Sequence, residues 1–272
     1  MGHKLTKLDI FSPEMLDYYQ VHPVEFIEDN ILQPHEARKG EKQFLSDQQK
    51  EALNDLAYCG KLTLVSGRGI GKSALLALAG IWFITVFPEA QVVLTAPSSK
   101  TLRSGLFKEY KLWLIGSYVE HLFEKTSEKI YLKEHAMLPQ ESVQSFVEMR
   151  TASKESPESM SGIHMKNLLI EIDEASKVSD DIIRTLVATL TGGWNNKVIM
   201  TSNGTRNSGR FYDSHMNDRA GLWKKYRFSS EDSPFASKES ILESEMNFGR
   251  EDDIFRVDVL GLFAKEDPDS FI

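Results

Sequence analysis

A single cysteine, Cys59, stands in a chain of 272 residues. One thiol closes no internal disulfide and builds no cysteine-rich zinc site, which fits a reducing, intracellular setting. Long apolar runs are missing as well. No stretch approaches the length of a membrane span, and the first residues are too polar for a secretory leader. Repeats and low-complexity tracts do not occur. Positive charge is in deficit, with 32 Lys and Arg against 40 Asp and Glu and a net charge of −8. A chain this acidic is not a general nucleic-acid binder by bulk charge, so any DNA contact must be local or created by assembly. Apolar residues, at 41%, suffice for one substantial core, and α/β domains of this length often stay single.

What is present concentrates after residue 60. Residues 62–73 read Leu-Thr-Leu-Val-Ser-Gly-Arg-Gly-Ile-Gly-Lys-Ser, an apolar strand entering a glycine-rich turn. The spacing is that of a P-loop, G-x-x-x-x-G-K-[ST], with Ser66 where the first glycine usually stands. Gly67, Gly69 and Gly71, with Arg68 and Ile70 between them, let successive N–H groups surround a phosphate. Lys72 would reach the β- and γ-phosphates and Ser73 would ligate Mg²⁺, so the predicted ligand is ATP with Mg²⁺. The plainer reading is a strand-to-helix turn carrying a chance lysine. The apolar strand before it and the helical run Ala74–Ala79 after it favour the phosphate site.

A P-loop calls for an acidic strand end nearby, and Asn167-Leu-Leu-Ile-Glu-Ile-Asp-Glu-Ala-Ser176 supplies it. We assign Asp173 to the metal, through water, and Glu174 to the base that polarises the attacking water. Acids in the first turn of a helix are the local alternative. Glu171 is awkward, because a carboxylate inside a strand covered on both faces needs a partner, and the sequence names none.

Leu62–Val65, Val92–Thr95, Leu168–Ile172 and Val198–Thr201 are short apolar or β-branched runs separated by helical stretches. That pattern predicts a mostly parallel central sheet flanked by helices, an α/β P-loop NTPase, with ligands at the carboxyl ends of the strands. Lys129–Lys133 and Val143–Met149 read as a small antiparallel edge or β insertion, and Thr151–Met160 as a loop. Residues 14–58 read as two or three helices. The expected organisation is a helical cover over 1–58, an ATPase core over 59–265, and the start of a linker at 266–272.

Two further segments bear on the nucleotide. Gln49, in Ser46-Asp47-Gln48-Gln49, lies where helicase-like motors keep a glutamine that reads adenine, and Ser46 with Gln49 also spells a capping box. Thr201-Ser202-Asn203-Gly204 closes a strand beside Asp173, where Asn203 could sense the γ-phosphate. An Asn-Gly turn is the local alternative. His164 and His215 show no metal spacing and read as structural. Lys224, Lys225 and Arg227 could touch phosphates, although a short basic patch on a strand is more often a solvated face.

Taken together, Gln49, the arginine-bearing loop Ser66–Ser73, Leu94–Ser99, Ser161–His164, Ile172–Ala175 and Thr201–Gly204 give the chain a family resemblance. It resembles the ATPase domain of the large terminase subunit of tailed bacteriophages, over roughly residues 20–265. The resemblance implies ATP-driven packaging of double-stranded DNA into a procapsid in the host cell cytoplasm. The motor would be a ring of subunits on a portal, working with a small terminase subunit and without a membrane. It also implies that Arg68 acts on its own subunit's ATP, where a guanidinium near the γ-phosphate would stabilise developing charge. The family often carries a trans-acting arginine directly before Gly162. Ser161 stands there instead, leaving Arg150, Arg184, Arg206 and Arg210 as candidates. A large terminase normally continues into a nuclease domain. The expectation is that this chain stops where one would begin and has no nuclease activity. Two other readings are one motor lobe of a DExD/H helicase or other nucleic-acid-stimulated ATPase, and a regulatory nucleotide switch.

Overall fold

The structure is a computed structural model that describes residues 11–133, 145–151, 165–192 and 195–265. Among the described residues, three helical stretches precede the first strand. Ser12 caps α1 (Pro13–Val21) by accepting from the Met15 amide. Helix α2 (Pro23–Ile27) runs through a π-helical turn at Glu28–Leu32 into α3 (Gln33–Lys39), which ends at Gly40 in the left-handed region. Helix α4 (Asp47–Tyr58) starts at a complete capping box: the Gln49 amide donates to Ser46 Oγ, and the Ser46 amide donates to Gln49 Oε1. These helices share their core with the rest of the molecule. Phe26, Ile27 and Ile31 are fully buried, and the Trp82 indole, from the helix after the P-loop, donates to Tyr19 O at 2.7 Å. They form a layer packed on the helix that follows the P-loop.

Among the described residues the strands are β1 (Lys61–Ser66), β2 (Ala90–Thr95), β3 (Phe123–Lys125), β4 (Lys129–Leu132), β5 (Phe146–Met149), β6 (Asn167–Ile172), β7 (Asn195–Ser202) and β8 (Lys224–Phe228). They form one sheet in the order β3-β4-β5-β2-β6-β7-β1-β8. From β5 to β8 every pairing is parallel. The antiparallel edge expected from the sequence lies at one side of this sheet. β3 pairs antiparallel with β4 and β4 with β5, while β5 also lies parallel to β2 with Val92 opposite Val147 and so joins this edge to the main sheet. A four-residue strand carries too little period to show which neighbour it joins. The predicted loop Thr151–Met160 falls almost wholly outside the described residues.

The remaining helices are α5 (Lys72–Val86), α6 (Phe107–Leu114), α7 (Asp180–Ala188), α8 (Gly209–Met216), α9 (Lys238–Phe248) and α10 (Asp253–Asp258). Every residue of α5 from Leu75 to Val86 is buried. A helix apolar all round belongs between layers, and α5 lies between the sheet and the N-terminal helices. Strand β6 divides its side chains between two cores: Leu168, Ile170 and Ile172 pack with Ile182, Ile183 and Phe211 of α7 and α8, and Leu169 packs with the α5 side.

Glu171 faces the α5 side and finds there the partner the sequence did not name. The Tyr110 hydroxyl, from α6, donates to Glu171 Oε2 at 2.9 Å, and both residues are fully buried. Gly80 makes the room, since a Cβ at that point of α5 would run into the Tyr110 ring and hydroxyl. Burial holds the Glu171 carboxyl well above its usual range, so the folded chain keeps it protonated where the unfolded chain releases the proton. The unfolded state then binds fewer protons, and this residue's contribution makes stability fall as pH rises above about 4.5. Tyr110→Phe should cost about 1–3 kcal/mol by leaving the carboxyl without its partner. Gly80→Ala should cost up to about 3 kcal/mol by overpacking. Glu171→Gln should gain on the wild type as pH rises from 5 to 8. Urea denaturation across that range checks all three, and a Glu171→Gln difference independent of pH would show that the carboxyl is not protonated in the fold.

Candidate nucleotide site

The carboxyl ends of β1, β7 and β6 lie side by side, and the P-loop rises from the first of them. Its backbone is anchored from the carboxyl-terminal part of the described chain. The Gly67 amide donates to Phe228 O at 2.9 Å, the Arg68 amide to Asp258 O at 2.7 Å, and the Ser230 hydroxyl to Arg68 O at 2.7 Å. Gly67 has to be glycine because a Cβ would come within 2.5 Å of Val259 O. Gly71, at φ 76°, turns the chain into α5 in a conformation that only glycine adopts cheaply. No side chain caps the amino end of α5. Its first N–H groups and its dipole are therefore available to an anion.

Lys72 curls into the same loop. Its ammonium donates to Ser66 Oγ at 2.9 Å, Gly67 O at 3.0 Å and Asn203 Oδ1 at 3.1 Å. Burial pulls its pKa down to about 8, against the Asp173 and Glu174 carboxylates, which hold it up. Ser66, in the place of the usual glycine, thus supplies one of the lysine's three oxygen contacts. Ser73 Oγ donates to Asp173 Oδ2 at 3.3 Å, and Thr201 Oγ1 donates to Asp173 Oδ1 at 3.1 Å. Asp173 is buried, which raises its pKa. A hydroxyl and a carboxylate this close at the mouth of a P-loop form a hard oxygen pair of the kind Mg²⁺ takes. Asn203 spends its oxygen on Lys72, while its Nδ2 is buried with no protein acceptor, a donor suited to a phosphate oxygen. Among the described residues no group of three His, Cys, Asp or Glu gathers as a further metal site.

Glu174 follows Asp173 at φ 50°, one of two non-glycine residues among those described with positive φ. Backbone held in that region at a strand end is typical of functional positions. Its carboxylate rests on Lys177 at 2.9 Å. Gln49 is buried, and beyond closing the capping box its Nε2 donates to Ile70 O and Gly71 O, both at 3.3 Å. The sequence left capping and nucleotide contact as alternatives, and the structure gives Gln49 the cap together with a direct hold on the P-loop.

Other expected residues lie farther from the lysine. Arg68 extends outward and pairs with Asp258, Nε to Oδ1 at 2.9 Å. The sequence gave no signal for Asp258, which is 190 positions away with no recognisable spacing. Arg150 pairs with Glu148 at 2.6 Å, and Arg184 with Asp181 at 2.9 Å. The Arg210 amide donates to Asp180, and Arg206 also has partners. Lys224 and Lys225 pair with Asp55 and Asp218, and Arg227 donates to Leu260 O, which is the solvated-face pattern. His215 hydrogen-bonds Thr63 Oγ1 at 3.0 Å, and burial lowers its pKa to about 4, consistent with a structural imidazole. Ser161–His164 and residues 266–272 lie outside the described residues.

Comparison with known proteins gives this geometry its relatives. The family described as "RNA cytidine acetyltransferase NAT10/TcmA, helicase domain" matches residues 63–254. A probable terminase large subunit of Enterobacteria phage P7 is 29% identical over 239 residues, covering 80% of this chain and 45% of that protein. Among solved structures, the large terminase of bacteriophage HK97 superposes with a TM-score of 0.67 at 15% identity, covering 90% of this chain and 55% of that one. A large terminase from a thermophilic bacteriophage in complex with ADP gives 0.64 at 13% identity, with 81% and 54% covered. The chain thus spans about half the length of these terminases. It belongs to the family that the NAT10/TcmA helicase domain represents, and it is similar in sequence to a phage terminase large subunit and in fold to large terminases.

Proposed function

We propose that this chain binds and hydrolyses ATP with Mg²⁺ and that the energy drives double-stranded DNA into a phage procapsid. The observation that carries the reading is the convergence of Lys72, Ser73, Asp173 and Asn203 at three neighbouring strand ends. The phosphates would sit on the amides of residues 69–73, with Lys72 moving from its loop contacts onto the β- and γ-oxygens. Ser73 and Asp173 would hold Mg²⁺, which supplies neutralisation of phosphate charge in the transition state. Glu174 would orient the attacking water, and Asn203 Nδ2 would report the γ-phosphate to β7. Arg68 would act in cis after exchanging Asp258 for phosphate oxygens. The remaining partners follow from the terminase reading: a ring of copies on a portal, a small subunit, and the host cytoplasm as the place of action. No helix among the described residues is long and apolar enough to cross a membrane.

The helicase-domain match favours a second reading, a nucleic-acid-stimulated ATPase of the helicase kind. Strand unwinding separates the two, because a packaging motor moves duplex DNA without opening it. ATPase rate measured against protein concentration, with and without duplex DNA, tests the motor reading. Turnover per chain should climb with concentration if a neighbour completes the site, and a flat dependence would argue against a ring. Slow turnover accelerated by neither DNA nor self-association would favour a nucleotide switch.

Two substitutions should part binding from chemistry. Lys72→Ala removes the charge that meets the phosphates and should abolish tight ATP binding. Glu174→Gln keeps the shape without the base, so it should bind ATP nearly normally and lose turnover by at least about a hundredfold. Equilibrium binding and steady-state hydrolysis on both variants decide it, and full turnover in Glu174→Gln would remove Glu174 from the mechanism. Glu171 is not its understudy, being enclosed with Tyr110 beneath α5.

The lowered pKa of Lys72 adds a pH signature. Phosphate binding favours the protonated amine, so ATP affinity should hold below pH 8 and decline above it as the free site loses that proton. Calorimetry in buffers of different ionisation enthalpy should detect proton uptake on binding near pH 8.5. Equal affinity at pH 7 and pH 9.5 would show that Lys72 is charged throughout.

A further inference from the structure

A cleft of about 430 Å³ opens at the other end of β1 from the P-loop. Lys61, the first residue of β1, lines it together with Arg210 of α8 and with Arg219 and Trp223 of the loop that leads into β8. A strand rises about 3.3 Å per residue, so the path along β1 from Lys61 to Ser66 is roughly 16 Å. The cleft is thus separate from the Lys72 cluster and from any nucleotide held there.

The acids of this cleft hold its loop together, while its cations are left over. Asp218 takes the Leu222 amide on one carboxylate oxygen and the Trp223 amide on the other, both at 3.0 Å, with the Lys225 ammonium 3.6 Å away. Asp213 accepts the side-chain amide of Asn217 at 2.6 Å. Arg210 donates its main-chain amide to Asp180, but its guanidinium, like that of Arg219, has no hydrogen bond or ion pair among the described residues, and both side chains are exposed. Lys61 has only the Trp223 ring, with its ammonium 5.8 Å from the ring centroid. The walls therefore carry three uncommitted cations against two carboxylates, one of them offset by Lys225. In a chain of net charge −8 this is a local excess of positive charge, and a concave surface concentrates its field.

We propose that this cleft binds the phosphate backbone of duplex DNA, with Lys61, Arg210 and Arg219 as the phosphate contacts. The proposal rests on the DNA reading above and locates the local contact that so acidic a chain requires. A site for a small free anion gathers backbone N–H groups around it. Here the amides of Arg219, Gly221, Leu222 and Trp223 are already taken by Asn217 O, Asp218 O and the Asp218 carboxylate. What remains is side-chain charge from β1, α8 and the loop, spread around an open cleft, which suits successive phosphates of a backbone. Such contacts position the duplex and carry no sequence information.

Fluorescence anisotropy of a labelled duplex of about 25 base pairs, titrated with the whole chain from about 50 to 200 mM salt, tests it. Each lost phosphate contact should remove about 0.9 from the slope of log affinity against log salt, roughly an eightfold loss near 0.1 M. Lys61→Ala, Arg210→Ala and Arg219→Ala should each do so, equally on duplexes of unrelated sequence, and Arg219→Lys should retain binding. Tripolyphosphate binding and ATP hydrolysis without DNA should match the wild type in Lys61→Ala and Arg219→Ala, because the cleft lies at the far end of β1. Wild-type affinity and salt slope in a variant with all three alanines would overturn the proposal. Millimolar orthophosphate that displaces the duplex from Lys72→Ala at matched ionic strength would make the cleft a small-anion site instead. A wild type that binds tripolyphosphate but no duplex, even at about 50 mM salt, would remove the DNA reading itself and leave the nucleotide site standing.

Discussion

A partly buried ammonium needs oxygens, and the arrangement of this site follows from how Lys72 obtains them. It takes one from the end of β1, one from the P-loop backbone and one from Asn203 just after β7. That requires β7 to sit beside β1, which the strand order provides, and it brings β6 with Asp173 to the other side of β7. Thr201 then ties the Asp173 carboxylate to the same strand that carries Asn203. A positive and a negative group are thus held a strand apart, each by hydrogen bonds to β7 or the residue that follows it. Neither is fully neutralised by the other, since burial pulls the lysine down and pushes the aspartate up. Both are poised for a ligand that carries charge of its own, which is the electrostatic condition for binding a metal-bound polyphosphate.

How much of this could be read from the chain depended on whether the signal was local. The P-loop, the acidic strand end and Asn203 are contiguous motifs whose residue types are fixed by what they touch, and the parallel sheet follows from the apolar runs before them. The partner of Glu171 was not legible, because Tyr110 lies 61 residues earlier on α6 and meets it only through the space at Gly80. Asp258 was hidden for the same reason. That β5 pairs with β2 as well as with β4 was not legible, because four residues of strand carry no record of their neighbours. Gln49 shows a different limit. Capping box and ligand contact predict the same residue at the same place, and only the direction of its amide separates a helix cap that also braces the loop from a group free to meet a base.

Buried polar groups divide the sheet into two regions of different character. Toward the strand ends they hydrogen-bond one another and face the P-loop, with Asn203 Nδ2 left without a protein acceptor. Deeper, the Tyr110–Glu171 pair is sealed beneath α5, and one oxygen of Glu171 is left without a partner. An apolar pair of similar volume would avoid that cost. Glu171 and Asp173 point to the same face of β6 two residues apart, and the proximity of the two carboxyls itself raises the Glu171 pKa. Keeping the inner one neutral leaves the negative charge on the outer one, beside Ser73 at the mouth of the P-loop.

The P-loop is not a free turn. Its first two amides are taken by Phe228 O and Asp258 O, its Arg68 carbonyl by Ser230, and its Arg68 side chain by Asp258. From the opposite side Gln49 holds Ile70 O and Gly71 O. The loop is therefore suspended between α4 and the segment that runs from β8 through α10, with the amides that follow Arg68 left for phosphate. A fixed loop of this kind loses little conformational entropy when an anion arrives. The Arg68–Asp258 ion pair is the weakest of these holds, because its arginine is 76% exposed and water screens the attraction. Releasing that side chain costs little compared with releasing the buried backbone contacts, so Arg68 can change partner while the loop keeps its shape.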